Sequence, residues 1–268
     1  KKPEKNIKEQ PEEPIYDSEE LLGLVSSDLK TPFDIKEAIA RFSDGSRFEE
    51  FKPMFGPTIV CGWTHVHGYP VAVIGNNGAI YPDSSQKAAH FIQLCNKINT
   101  PIIFLQNVTG FLVGKEFERD GSIKKGSQLI NAVSNSTVPH ITIILGASYG
   151  AGTYAMSGRA FNNRFTFIWP TAKIAVMGGK QIAGVMSLVR RARAMRKGEK
   201  FDEEEDKKIV AAVEKLQEDG SRALEASGLV SDDGIIDPRD TRTVIGMCLS
   251  IVGNKRIEGT KEFGVFRL

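Results

Sequence analysis

The residues with the sharpest chemical meaning are Gly146-Ala147-Ser148-Tyr149-Gly150, which match the pattern G-x-S-x-G. They follow the apolar run Pro139 to Leu145 and precede a short stretch of helical character. A serine at such a strand–turn–helix junction can be a hydrolase nucleophile, but that fold carries its histidine later in the chain than its serine. The four histidines, His65, His67, His90 and His140, all precede Ser148. Their order counts against hydrolysis. The backbone of the same segment offers other chemistry. Gly146, Ala147, Gly150, Ala151 and Gly152 let a ligand come close to the main chain. The first N–H groups of a helix starting here lack internal acceptors and point outward, a ready place for negative charge. Such a donor contributes about 3 kcal/mol to an oxyanionic transition state. A glycine-rich turn that only permits tight helix–strand packing is the alternative, and it stays open.

Two further clusters carry less. Cys61, His65 and His67 share one face of an expected strand, yet zinc sites show tighter pairs and a fourth ligand, so no metal is expected. Arg190, Arg191, Arg193, Arg196 and Lys197 gather at a helix end, where cations complement the dipole; phosphate binding there is a minor option. No G-x-x-x-x-G-K-[ST] loop is present, which argues against a P-loop triphosphatase.

The elements that must position these residues can be read from periodicity. Asp34 caps a helix to Phe42 with Ile35, Ala38, Ile39 and Phe42 on one face. Thr58–Val66 and Tyr69–Ile74 read as a hairpin turning at His67-Gly68. A helix is expected over Asp83–Asn99, with Ala88, Phe91, Cys95 and Ile98 inward. Pro101–Gln106 and Pro139–Leu145 are buried strands separated by a helix near Lys124–Ser136. That is a βαβ unit with parallel strands. Both strands end in glycine-bearing loops, 107–114 and 146–152, which then lie side by side at the sheet edge where ligands bind. Strands near Phe165–Trp169 and Lys173–Val176 follow, then helices Gln181–Arg196, Asp202–Asp219 (apolar stripe Ile209, Val213, Leu216) and Pro238–Val252. Lys1–Ser18, proline-bearing and dense in charge, reads as a disordered linker.

Composition sets outer bounds. With 268 residues, 41% hydrophobic and net charge +2, the chain can build an unaided core and has no basic excess suited to nucleic acid. No apolar run approaches the roughly 20 residues of a membrane span. Three scattered cysteines argue for a reducing compartment.

Longer motifs carry a resemblance. Val108–Gly114 (VTGFLVG), Ser148–Ala160 (SYGAGTYAMSGRA), Phe167–Gly179 (FIWPTAKIAVMGG) and Asp232–Arg242 (DDGIIDPRDTR) resemble the carboxyltransferase β subunit of biotin-dependent acyl-CoA carboxylases. Among these, the motifs look most like the 3-methylcrotonyl-CoA type, a ligase of leucine catabolism. Supporting stretches are Leu29–Lys52, Gly68–Ile80 and the ending Phe263–Leu268. The resemblance implies an α/β, crotonase-like (ClpP/crotonase) ββα spiral in a single domain. Residues 19–268 would be the C-terminal carboxyltransferase domain, preceded by the interdomain linker 1–18 and expected to be inactive alone.

In that family carboxybiotin gives up CO2, and the biotin left behind takes a proton from the acyl-CoA thioester. By matching positions, the amides of Ala151 and Gly152 would hold the ureido oxygen. Thr109, Gly110, Phe111, Val113, Gly114, Tyr149 and Gly150 would bind biotin, and Gly178 and Gly179 the substrate; Phe111 could equally be core. Lys180, Thr153 and Ala155 depart from the methylcrotonyl-type pattern, which bears on the acyl chain; propionyl-CoA or acetyl-CoA are alternatives. The implied partners are an N-terminal carboxyltransferase domain, further copies in a homo-oligomer, and biotin carboxylase with its biotin carrier, in a bacterial cytoplasm or mitochondrial matrix. An enoyl-CoA hydratase or isomerase would need a positioned carboxylate, for which Glu116 and Glu118 are the nearby candidates. A non-catalytic interface fragment is the third reading.

Overall fold

A computed structural model describes residues 9–26, 28, 31–111, 114–161 and 163–266. Helices α1 (Leu21–Leu24) and α2 (Ile35–Phe42) come first, then strands β1 (Glu49–Glu50), β2 (Ile59–Val66) and β3 (Tyr69–Asn76). Asp34 caps α2 by accepting from the N–H of Lys36, and all four inward residues read from the sequence are buried. The β2–β3 turn falls at His67 and Gly68, whose φ values of 49° and 76° suit the twist of a two-residue hairpin. Helix α3 (Pro82–Lys97) leads to β4 (Ile102–Val108); α4 (Lys115–Arg119) and α5 (Ser122–Asn135) lead to β5 (His140–Tyr149). Then come α6 (Gly150–Ala155), β6 (Phe165–Ile168), β7 (Lys173–Ala175), α7 (Gly179–Lys197), α8 (Glu203–Gly220), α9 (Ala223–Gly228) and α10 (Thr241–Val252).

The sheet runs β1-β2-β3-β4-β5-β6, with β7 pairing the end of β5. The first two pairings are antiparallel, and those from β3 through β6 are parallel. Alternate residues go to opposite faces. Val71, Val73, Ile103 and Leu105 pack with α2 and α10, while Ala72, Ile74, Ile102 and Phe104 pack with α3 and α5. Both faces are therefore covered, which explains why these strands read as unbroken apolar runs.

Several expectations need correction. Ile98 lies past the end of α3 and is 55% exposed, and Leu216 on α8 is 76% exposed. β5 continues through Gly146-Ala147-Ser148 to Tyr149, so the turn comes only at Gly150. β1, α4 and α9 were not apparent from periodicity. Residues 9–18, expected within a disordered linker, lie against the folded body. The Ile15 N–H donates to Ser46 Oγ at 2.9 Å, Arg47 pairs with Glu12 at 2.7 Å, and Arg242 Nη2 donates to the Glu12 carbonyl at 2.7 Å. Fixed cations on the body hold a segment whose composition alone favours disorder. Among the described residues no helix is long and apolar enough to cross a membrane.

Candidate active site

Parallel pairing of β4 with β5 brings the loop after Val108 beside the first turn of α6, since Val108 aligns with Ser148. The approach is close: a Cβ on Gly152 would sit 2.6 Å from Val108 Cγ2 and 3.4 Å from Gly110 Cα. β7 brings in a third loop. Tyr149 aligns with Ala175, and a Cβ on Gly150 would meet the Val176 carbonyl at 3.0 Å. Gly150 has φ +55°, which lets the chain turn from strand into helix there. Gly178 is the N-cap of α7 and Gly179 its first residue; the latter packs on α8, where a Cβ would meet the Glu214 carbonyl at 2.9 Å. The loops 109–111, 149–152 and that opening at Val176 thus meet at one edge of the sheet, with Gly178 and Gly179 following two residues on.

The serine of G-x-S-x-G is not exposed there. Ser148 is fully buried, its hydroxyl bonded to Gln106 Oε1 at 2.5 Å and to Thr153 Oγ1 at 2.9 Å. Gln106 Nε2 donates to the Met156 carbonyl at 2.7 Å. This network ties the middle and the C-terminal end of α6 to β4 and β5. Asn107 supports the strand before it, accepting from the Ala147 N–H at 3.1 Å while its own N–H donates to Asn76 Oδ1 at 2.9 Å. Gln106, Asn107 and Asn76 were missed by sequence reasoning; polar residues closing apolar strands were the available signal.

Ala151 and Gly152 are the second and third residues of α6, so their N–H groups have no acceptor within the helix. Ala151 is exposed and Gly152 buried. Above Gly110 the described residues leave space, since a Cβ built there meets none of them within 4 Å. Thr109 is exposed beside it. Phe111 turns inward instead: its ring lies against Gly126 of α5 and packs on the core, which favours the packing role. Gly114 is the N-cap of α4, and Val113 lies outside the described residues. Burial, reinforced by Glu218, pushes the Tyr149 phenol up, against the opposing effect of Ser221.

Among the described residues no side chain at this edge forms an acid–base pair. Glu116 and Glu118 are exposed on α4, and Lys180 is a surface residue 4.0 Å from Glu214. Among the described residues no group of three metal-ligand side chains assembles: Cys61 is buried in the core and His65 pairs with Glu9 at 3.5 Å. Two members of the arginine cluster of α7 are met by α8, Arg190 with Asp206 at 2.7 Å and Arg191 with Glu203 at 2.5 Å. The edge can bind an acceptor through main-chain donors, with small residues all round.

Residues 1–266 match the Carboxyl transferase domain family. The chain belongs to that family. This carboxyl transferase domain is 56% identical, over 96% of its length and 49% of the relative's, to the probable biotin-dependent acyl-coenzyme A carboxylase beta2 subunit of Mycobacterium tuberculosis. It is 46% identical, over 96% of its length and 44% of the relative's, to the mitochondrial methylcrotonoyl-CoA carboxylase beta chain of Dictyostelium discoideum. Its structure superposes on the beta subunit of P. aeruginosa geranyl-CoA carboxylase with a TM-score of 0.85 at 42% identity, covering 97% of this chain and 50% of that one. The fold is crotonase-like, as the sequence motifs implied. The carboxyl transferase domain spans about half the length of the curated relatives it matches.

Proposed function

We propose that this domain is the biotin-facing half of an acyl-CoA carboxyltransferase, acting on a 3-methylcrotonyl-type thioester. The observation that carries the reading is the meeting of the three glycine loops around the first turn of α6, with donors from the main chain and no acid–base pair among the described residues. The residues present suit biotin's ureido group. Its carbonyl oxygen is an acceptor, the amides of Ala151 and Gly152 are neutral donors, and among the described residues nothing crowds the space above Gly110. Carboxybiotin, when bound, supplies the carboxyl group and afterwards a base. The two amides would hold the ureido oxygen where negative charge grows. The loops at 109–110 and 149–150 would flank the ring, and Gly178 would bring the main chain near the thioester. The Gln106–Ser148–Thr153 network would keep the amides aimed, so little reorganisation accompanies charge development.

The acyl chain is proposed from kinship with the methylcrotonoyl-CoA carboxylase beta chain. The partners are proposed on the same footing: an N-terminal carboxyltransferase half, further copies of the subunit, and a biotin carboxylase with its carrier. Exposed apolar side chains at Val176, Leu188, Val189 and Met195 give such partners a surface to cover.

Ala151→Pro in the full-length protein removes one donor at an exposed position, where Gly152 has no room for a ring. Carboxyl transfer should fall by about two orders of magnitude with the melting temperature nearly unchanged. Full activity in that variant would overturn the oxyanion assignment. Across a panel of acyl-CoA thioesters, 3-methylcrotonyl-CoA should give the highest kcat/KM; a higher value with geranyl-, propionyl- or acetyl-CoA would reject the substrate assignment.

A further inference from the structure

The opposite end of β5 carries a concavity. His140 opens the strand that Tyr149 closes, so this cleft lies about 30 Å from the glycine loops. It has a volume near 750 Å³ and is formed by three separate segments: the end of α5 with the chain into β5, the turn before β6, and residues 251–258 at and beyond the end of α10. That is the size of an ordinary small-molecule site.

Its charge is lopsided. Arg164, Lys255 and Arg256 line it against one carboxylate, Glu258. Glu258 lies 3.6 Å from Arg256; Arg164 and Lys255 have no carboxylate partner among the described residues. The end of α10 accounts for a little of this, since its carbonyls favour cations, but that effect fades beyond the last turn. The floor adds no charge of its own. His140 is bonded through Nε2 to Ser136 Oγ at 2.8 Å and through Nδ1 to Ser157 Oγ at 2.9 Å, and burial keeps its imidazole neutral at physiological pH. Beside the cations stand apolar walls, Val138, Phe161, Ile251 and Ile257. A guanidinium pair with an ammonium matches phosphate oxygens, and apolar walls reward a ligand that continues past the phosphate.

We infer that the cleft formed by Ser136–His140, Arg164 and residues 251–258 is a binding site for a small phosphate-bearing molecule with an apolar body. Its cations hold the phosphate, and Ile251 and Ile257 hold the body.

Calorimetric titration of the purified full-length protein with inorganic phosphate and with hexyl phosphate tests this. Hexyl phosphate should bind at least about tenfold more tightly than inorganic phosphate, and more weakly as salt rises. The Arg164→Ala/Lys255→Ala double variant should lose at least about tenfold in hexyl phosphate affinity. All these side chains are exposed, so the melting temperature without ligand should hold; Arg256→Ser, a separate single change, should also weaken binding. No binding of hexyl phosphate at millimolar concentration, equal affinity for the two probes, or undiminished binding in the variants would each overturn the inference.

Discussion

Ser148 Oγ donates to Gln106 Oε1 at 2.5 Å across 42 residues of sequence, and both side chains are fully buried. The serine that looks like a nucleophile is a strut between β5 and β4 under α6. Ser148→Ala should therefore cost about 1–3 kcal/mol of stability, because it leaves the glutamine oxygen without its donor. Activity should fall only modestly, through looser aim of the amides. Melting temperature and kcat measured on the same preparation test this; a loss of several orders of magnitude in kcat at unchanged stability would restore the nucleophile.

The cysteines should be silent in the native protein. Cys61 and Cys248 are buried, and desolvation pushes each thiol up to about 12; Cys95 is driven higher still by the same cause. Thiolate is the reactive form. Iodoacetamide at pH about 8 should leave the three corresponding peptides unmodified until denaturant is added, as peptide mass spectrometry would show.

His140 gives a pH signature. Burial among Phe104, Ser136 and Ser157 lowers its imidazole from 6.5 to about 4. Between those values the unfolded chain takes up a proton that the folded chain refuses. The stability contribution is thus complete above pH 6.5 and is lost as pH falls toward 4. The full effect is about 3 kcal/mol. Urea unfolding at pH about 7.5 and about 4.5 should show a larger acid-induced loss for the wild type than for His140→Gln; equal losses would contradict it.

Arg242 joins the most distant parts of the chain. It is 7% exposed and bonds Asp44 Oδ1 at 2.6 Å, the Phe42 carbonyl at 2.9 Å and the Glu12 carbonyl at 2.7 Å. Asp44 also accepts from the N–H groups of His67 and Gly68. Arg242→Ala strands a buried carboxylate, so a loss of about 3–5 kcal/mol is expected. Residues 9–18 should also become sensitive to limited proteolysis, which is read by the mass of the first fragment released.

What the sequence disclosed follows the range of the forces involved. α2 and the β2–β3 hairpin were legible because a cap, a period and a two-residue turn are local. The meeting of the loops after β4 and β5 was legible because a βαβ unit fixes strand direction. The role of Ser148 was not, since Gln106 reaches it only through the folded sheet. The inward turn of Phe111 depends on the missing side chain of Gly126, in another element. Residues 9–18 read as disordered because composition cannot know that Arg47 and Arg242 wait for them. The cationic cleft was invisible because each of its segments is unremarkable alone.

The tie from Arg242 to residues 12, 42 and 44 also sets an order of events during synthesis. Asp44 is enclosed on the assumption of a cation that the ribosome delivers about two hundred residues later. Until α10 emerges, the first strands can pair, but the face they bury against α10 is bare and the acid at its centre lacks its counter-charge. A contact of such sequence separation makes folding slow and its last step global. The final helix acts as a latch, and nascent chains that stall before it present an open apolar face to chaperones.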